Sequence, residues 1–312
     1  MKIAVIGAGL IGQAWAIVFA RGGCDVQLWD GDQQALDNAL ALVSRQVSEL
    51  ESQRLLQDAA GVMSRIKTSA SLEIALSGAE YVQENLPERL DVKKEIFGKL
   101  DTLSDPRAVL ASSTSSIPAS AFTEHLAGRR RCLVAHPVNP PYLIPVVELC
   151  GAPWTDESVV ENARAIHESV GQKPVVVHKE LEGFVLNRLQ GALLREAFRL
   201  VQNGCISVED LDTTVKDGLG LRWAFMGPFE TIDLNAPDGL QDYCNRYGGM
   251  YQSIAREQTS IDAWDAEVVA RIEQQRRSLL PSTELLDRRL WRDARLMELL
   301  RLKSVPDAGV SN

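Results

Sequence analysis

Short apolar runs alternate with helical stretches up to about residue 180, and helical periodicity alone continues beyond it. The chain opens on KIAVI at 2–6, apolar and partly β-branched, which predicts a buried parallel strand. A glycine turn follows, then a helix over 10–21 that Gly22 and Gly23 stop, then a second strand, DVQLW, at 25–29. From 33 to 54, Leu36, Ala39, Leu40, Val43, Val47 and Leu50 recur at i, i+3 and i+4, the spacing of a one-faced helix. The stretch 58–71 is less regular and predicts a loop with a short strand. Further strands are expected at 81–84, 108–111, 132–135, 146–149 and 175–177, with helices at 92–103 and 156–169 and Gly171 as a C-terminal stop.

After Lys179 no strand pattern recurs. Helices are expected at 184–201, 208–216 and 264–276, with a last one capped by Ser282 and running to about Leu302. The tail 305–312 reads as disordered. These elements predict a Rossmann-type, doubly wound, mostly parallel α/β domain over 1–180 and an all-helical domain over 181–312. A chain of 312 residues is long enough for two cores.

Composition narrows the function classes. A net charge of −9 and a pI near 5.1 argue against nucleic acid or an anionic membrane as partner. Five cysteines, none in a CxxC pair, fit reduced thiols rather than a disulfide frame or a zinc site, so no metal is expected. With the first strand opening at Lys2 and no apolar run near 18 residues, neither a signal peptide nor a membrane span is expected, and the location is read as cytoplasmic.

Gly7-Ala8-Gly9-Leu10-Ile11-Gly12 fits GxGxxG. Alone that pattern is weak, but here it follows a strand, opens a helix, and precedes Asp30 at the end of the second strand. Gly7 serves the tight turn, Gly9 the backbone approach to a pyrophosphate, and Gly12 close helix–strand packing, with helix N-terminal amides facing the phosphate charge. Asp30 would accept from ribose hydroxyls and repel a 2′-phosphate, and Gly31 and Asp32 offer no cation, so NAD is expected over NADP. FAD shares the turn, but the chain length and the pair described next favour NAD.

Of four histidines, His125 and His167 fall in polar helical stretches and read as solvated, and His178 lies at the domain junction. His136 ends an apolar strand and enters the turn Pro137-Val138-Asn139-Pro140-Pro141, at the sheet edge where open α/β folds bind ligands. Glu148 stands among Val146, Val147 and Leu149, where a carboxylate needs a partner. If the two strands are neighbours, Glu148 orients the imidazole and His136 takes a hydroxyl proton as hydride leaves. A buried structural ion pair is the alternative.

These residues, with SSTSS at 112–116, AHPVNPP at 135–141, VVEL at 146–149 and GFVLNRLQ at 183–190, resemble the 3-hydroxyacyl-CoA dehydrogenase superfamily. QENLPERLDVKKEIF at 83–97, HPVNPPYLIPVVEL at 136–149 and GLGLRWAFMGPFETIDLNA at 218–236 resemble the branch of lambda-crystallin and L-gulonate 3-dehydrogenase. That resemblance covers nearly the whole chain. It implies His136 as base with Glu148 as its partner, Ser115 and Asn187 near the reacting carbon, Glu88, Lys93 and Asn139 on the nicotinamide half of NAD, and a homodimer. A polar rim is the plainer reading of Glu88 and Lys93, whereas an asparagine inside a helix such as Asn187 suggests a specific hydrogen bond.

The resemblance also implies oxidation of a 3-hydroxyl, with L-gulonate as substrate, a CoA thioester as the alternative, and a crystallin-like structural role beside them. CoA is polyanionic, yet no lysine occurs between Lys2 and Lys67, and only Arg45 and Arg54 lie in the long helix. A free acid is therefore favoured. Arg222 is the candidate carboxylate clamp, with pairing to Asp217 or Glu230, or plain solvation, as alternatives, and Asn235 and Arg246 as lesser candidates. Trp223 and Phe225 are expected to close a small pocket.

Overall fold

The computed structural model describes residues 1–258 and 265–304. Strand β1 (Lys2–Ile6) is its axis: Ile3, Ala4, Val5 and Ile6 are all wholly buried, as a parallel strand covered on both faces requires. Seven more strands follow: β2 (Asp25–Trp29), β3 (Ile66–Thr68), β4 (Tyr81–Glu84), β5 (Val109–Ser112), β6 (Cys132–Pro137), β7 (Val146–Gly151) and β8 (Lys173–Val176). They form one sheet in the order 3-2-1-4-5-6-7-8, parallel except that β7 runs antiparallel to β6. The strand order reverses beside β1, between β2 and β4, which creates the crevice where such sheets bind ligands.

Alternation along the strands feeds two cores. Ile3, Val5, Leu133, Ala135, Val147 and Leu149 face one of them, beneath α1 (Leu10–Arg21), α2 (Gln33–Ser52) and α7 (Glu157–Ser169). Ala4, Ile6, Val82, Leu110, Val134 and Cys150 face the other, beneath α4 (Leu72–Leu76), α5 (Leu90–Leu103) and α6 (Ser120–Thr123). The irregular stretch before β3 holds a short helix, α3 (Ala59–Arg65), capped by the Asp58 carboxylate, which accepts from the Gly61 amide. Asp32 caps α2 in the same way through the Gln34 amide, and the predicted stripe Leu36, Ala39, Val43, Val47 and Leu50 is its buried face.

The chain divides into two compact units, Met1–Asn187 together with the chain from Arg289 on, and Arg188–Arg288. In the first unit Met297 of the final helix is buried, and Leu296 and Leu300 pack against the same core as α1. The second unit carries the body of α8 (Leu186–Gln202), α9 (Val208–Thr213), α10 (Gly220–Trp223), α11 (Pro228–Asp233), α12 (Gly239–Glu257), α13 (Ala266–Leu279) and the start of α14 (Leu285–Lys303), and no strand occurs among its described residues. Between α9 and α10 the helix widens into a π turn over Thr214–Leu219. Few side chains in this unit are buried; Val201, Val208, Ala236 and Val268 are its buried apolar ones among the described residues. Ser282 opens a 3-10 turn (Ser282–Glu284) rather than capping α14, which begins at Leu285. Helix start Trp264 and the tail 305–312 lie outside the described residues. No helix among those described is long and apolar enough to cross a membrane.

Candidate active site

The glycine turn is built as its spacing predicts. Gly7 adopts φ +99, a conformation side chains disfavour, and its amide donates to the Trp29 carbonyl at 2.7 Å. A Cβ on Gly12 would fall 1.8 Å from the Gly7 carbonyl oxygen, so only glycine lets α1 close against the turn. Nothing lies within 4 Å of a Cβ placed on Gly9, the N-cap of α1. The open face at Gly9 and the free first-turn amides of Leu10, Ile11 and Gly12 fit a pyrophosphate. Leu10 is exposed and Ile11 half-buried. Asp30 follows β2; its Oδ2 accepts the Ala8 amide at 2.7 Å and its Oδ1 the Asp32 amide at 3.0 Å, so the carboxylate also fastens the turn.

Beside Asp30 opens a cleft of about 570 Å³ lined by Trp29, Gly31, Ser69, Leu72 and Lys99 among others. Its size and carboxylate suit the adenosine half of NAD. Lys99 went unnoticed in the sequence because it lies far along the chain; its ammonium is held by Glu95 at 2.6 Å.

At the other end of the crevice, β6 and β7 pair in antiparallel register with His136 directly opposite Glu148. His136 Nδ1 lies 2.8 Å from Glu148 Oε2, and both side chains are buried. Glu148 Oε1 accepts the amides of Val185 and Leu186 at 2.8 and 2.9 Å, at the start of α8. Burial pushes this carboxyl up, but the His136 hydrogen bond and the two amides outweigh it and hold it below its ordinary value. A carboxylate that stays ionised fixes the proton on Nδ1, leaving the Nε2 lone pair as a base. The Phe184 ring, wholly buried, lies against the imidazole with centroids 5.7 Å apart.

A second carboxylate organises the loop after β5. Glu88 Oε1 accepts the Thr114 hydroxyl at 2.6 Å, the Ser115 and Ser116 amides at 3.0 Å each, and the Ser116 hydroxyl at 3.1 Å. Partial burial raises its pKa, but the Thr114 and Ser116 hydrogen bonds and the Lys93 charge leave it below the ordinary value. From this loop the Ser115 carbonyl accepts the Asn187 side-chain amide at 2.9 Å. Ser115, Asn187, Glu88, His136 and Glu148 thus belong to one hydrogen-bonded and stacked assembly in the first unit. Asn139 is exposed on the turn after His136.

Lys93 departs from the polar-rim reading. Its side chain is 1% exposed, and its ammonium donates to both Glu84 oxygens at 2.8 and 2.9 Å and to the Leu86 carbonyl at 2.9 Å. Glu84, also bonded by the Ser112 hydroxyl at 2.6 Å, escaped the sequence reading, although a glutamate ending the buried run YVQE was a signal of the same kind as Glu148. Burial raises its pKa despite Lys93.

His167 is a correction. It was expected in solvent but is wholly buried on the inner face of α7, between Trp15, Phe19 and Tyr81. The polar neighbours that suggested exposure, Glu161, Arg164 and Glu168, sit on the other face. His125 is exposed, as read.

In the second unit, Arg222 is exposed and its candidate partner Asp217 pairs with Lys216 at 3.1 Å. Trp223 and Phe225 are also exposed, at 42% and 62%. Arg246 is engaged by Asp242 at 2.7 Å.

Comparison with known proteins agrees with this architecture. Residues 2–181 match the family described as 3-hydroxyacyl-CoA dehydrogenase, NAD binding domain, and residues 183–271 match its C-terminal domain. The chain is 40% identical over 306 residues to the lambda-crystallin homolog of Rattus norvegicus, covering 96% of each chain. It is 37% identical over 249 residues to the L-carnitine dehydrogenase of Pseudomonas putida, covering 78% of this chain and 76% of that one. Among solved structures, an NAD+-dependent dismutase, 5-formyl-3-hydroxy-2-methylpyridine 4-carboxylic acid 5-dehydrogenase, aligns with a TM-score of 0.74 at 30% identity over 92% of this chain and 98% of that chain. With both family domains matched in order around the glycine turn, the chain belongs to the 3-hydroxyacyl-CoA dehydrogenase family and is an NAD-dependent dehydrogenase.

Proposed function

We propose that the protein oxidises the 3-hydroxyl of a short 3-hydroxy acid with a free carboxylate, L-gulonate to 3-dehydro-L-gulonate in the first instance. The hydrogen bond from His136 to Glu148, with Glu148 also held by the Val185 and Leu186 amides, carries this reading. His136 accepts the hydroxyl proton at Nε2, and the ionised Glu148 stabilises the resulting imidazolium. Ser115 and Asn187 orient the hydroxyl. Gly7, Gly9, Leu10, Ile11, Gly12 and Asp30 hold NAD, with Glu88, Lys93 and Asn139 on the side of its nicotinamide, Lys93 through Glu84. NAD, when bound, supplies the hydride acceptor.

Two observations favour a free acid over a CoA thioester. Arg45 and Arg54 are the only cations along α2 and the turn that ends it. Relatives at 37–40% identity include L-carnitine dehydrogenase, and L-carnitine is itself a 3-hydroxy acid with a free carboxylate. Arg222 is the proposed carboxylate clamp. The apolar side chains Leu221, Phe229 and Leu234 exposed on the helical unit support a homodimer.

The test follows NADH formation with L-gulonate, L-carnitine, L-3-hydroxybutyrate and 3-hydroxybutyryl-CoA, with His136→Ala alongside. A kcat/KM for L-gulonate above the others supports the reading. Preference for the thioester overturns the free-acid assignment, and an active His136→Ala overturns the base.

A further inference from the structure

Two non-glycine residues among those described have positive φ, Arg54 at 60 and Phe184 at 49. Arg54 is exposed just past the end of α2, whereas Phe184 is wholly buried beside the catalytic pair. A bulky residue in the left-handed region is disfavoured, and glycine, asparagine or aspartate usually stands there. Strain of this kind persists where the surroundings impose it, and it gathers at functional sites.

Phe184 makes two contributions at once. Its backbone, following Gly183 at φ +75, turns the chain into α8 so that the next two amides, Val185 and Leu186, converge on Glu148 Oε1. Its ring lies against the His136 imidazole at 5.7 Å between centroids and 35° between planes. Glycine would serve the turn but leave the imidazole face bare. An aromatic ring held only by core packing would not need a disfavoured backbone.

We infer that Phe184 is a positioning residue for the catalytic pair: its ring fixes the imidazole plane with Nδ1 toward Glu148 and keeps water off that hydrogen bond, while its left-handed backbone supplies the amides that hold Glu148. This rests on the reading of His136 as the base.

The test uses the full chain with NAD and the best substrate of the panel above. Phe184→Leu keeps apolar volume and Phe184→Ala removes it. Four quantities are read: the low-field proton resonance of His136 Nδ1–H, identified by its loss in His136→Ala; kcat; KM; and NAD affinity. In Phe184→Leu the fold is retained, NAD affinity changes less than about twofold, kcat falls about tenfold or more, and the low-field resonance broadens or vanishes, as expected of a reacting group displaced by a fraction of an ångström. Phe184→Ala, where it folds, shows a larger loss of the same kind. Unchanged kcat and an intact resonance in Phe184→Leu overturn the inference and make Phe184 core packing alone. An active His136→Ala instead removes the base assignment, while the resonance still reports whether Phe184 holds the imidazole.

Discussion

The Asn187 side-chain amide donates to the Ser115 carbonyl at 2.9 Å, tying the first turn of α8 to the loop that leaves β5. The Ser115 amide is held by Glu88 at 3.0 Å, so the peptide groups on both sides of Ser115 are fixed. Asn187 therefore links the loop bearing the Ser115 hydroxyl to the helix start that secures Glu148. Asn187→Ala is expected to cost about 1 kcal/mol of stability for the lost hydrogen bond, and to lower kcat by about 10- to 100-fold through misplacement. Denaturant unfolding and steady-state kinetics measure the two separately; an unchanged kcat would leave Asn187 a structural tie only.

His167 predicts a pH-dependent stability. Tyr81 donates to Gln83 Oε1 at 2.9 Å, so its oxygen accepts from His167 Nε2 at 2.9 Å, and His167 Nδ1 has no partner. The ring is therefore neutral, with its proton on Nε2. Burial drives its pKa down from 6.5 to about 3. A histidine whose folded pKa is depressed takes its proton preferentially when unfolded. Its contribution is thus full above pH 6.5 and declines as pH falls toward 3, by on the order of 4 kcal/mol over the whole window. His167→Gln, which can still donate to Tyr81, should flatten the loss between pH 6.5 and about 4.5, above the carboxylate range. Parallel slopes for the two proteins in urea unfolding would contradict a neutral buried imidazole.

The contrast between the histidines shows what was legible in the sequence. His136 and Glu148 were readable because each stands in an apolar strand, where period-two alternation leaves few places for a charge. The glycine turn was readable because sterics allow few residues at Gly7 and Gly12. His167 was not, since a helix of mixed composition has a buried face that only its partners identify: Ala163, Ile166 and Val170 line that face, while the charges beside them in sequence point outward. The burial of Lys93, against the polar rim that is its plainer reading, was hidden for a similar reason, as its neutralising Glu84 comes from another element. Helices α11 and α12 were not legible for separate reasons: α11 has only six residues, too few to show a period, and in α12 Gly248 and Gly249 interrupt the stripe of Leu240, Tyr243, Tyr247, Tyr251 and Ile254 with residues that oppose a helix.

Two glycines of the nucleotide turn should separate folding from binding. Gly12→Ala places a methyl 1.8 Å from backbone oxygen and should destabilise by about 1–3 kcal/mol or more. Gly9→Ala meets nothing within 4 Å and keeps an ordinary φ of −68, so the melting temperature should hold. Its methyl would nonetheless occupy the face left open for phosphate, and NAD affinity should drop by about tenfold, the worth of one lost charge-assisted contact. NADH fluorescence titration beside thermal melts checks both. Undiminished affinity in Gly9→Ala would remove that face from the cofactor site.

Glu84 and Lys93 offer the sharpest choice between a structural and a direct cofactor role. The pair is almost fully enclosed, at 0% and 1% side-chain exposure, and every ammonium donor is spent within the protein. Through Ser112 it joins the ends of β4 and β5 and sets the turn that presents Glu88. Lys93→Met would strand a carboxylate whose pKa burial already raises, and should cost about 3–5 kcal/mol. Glu84→Leu would strand the ammonium at similar cost. The double variant removes both charges together and should lose much less than the sum, a coupling readable in a double-mutant cycle. Where the double variant keeps its stability, the apolar pair still holds the turn, and NAD affinity should change little because Lys93 spends its donors on Glu84 and Leu86 and not on the cofactor. A large loss of affinity there, without loss of stability, would instead make Lys93 a direct cofactor contact.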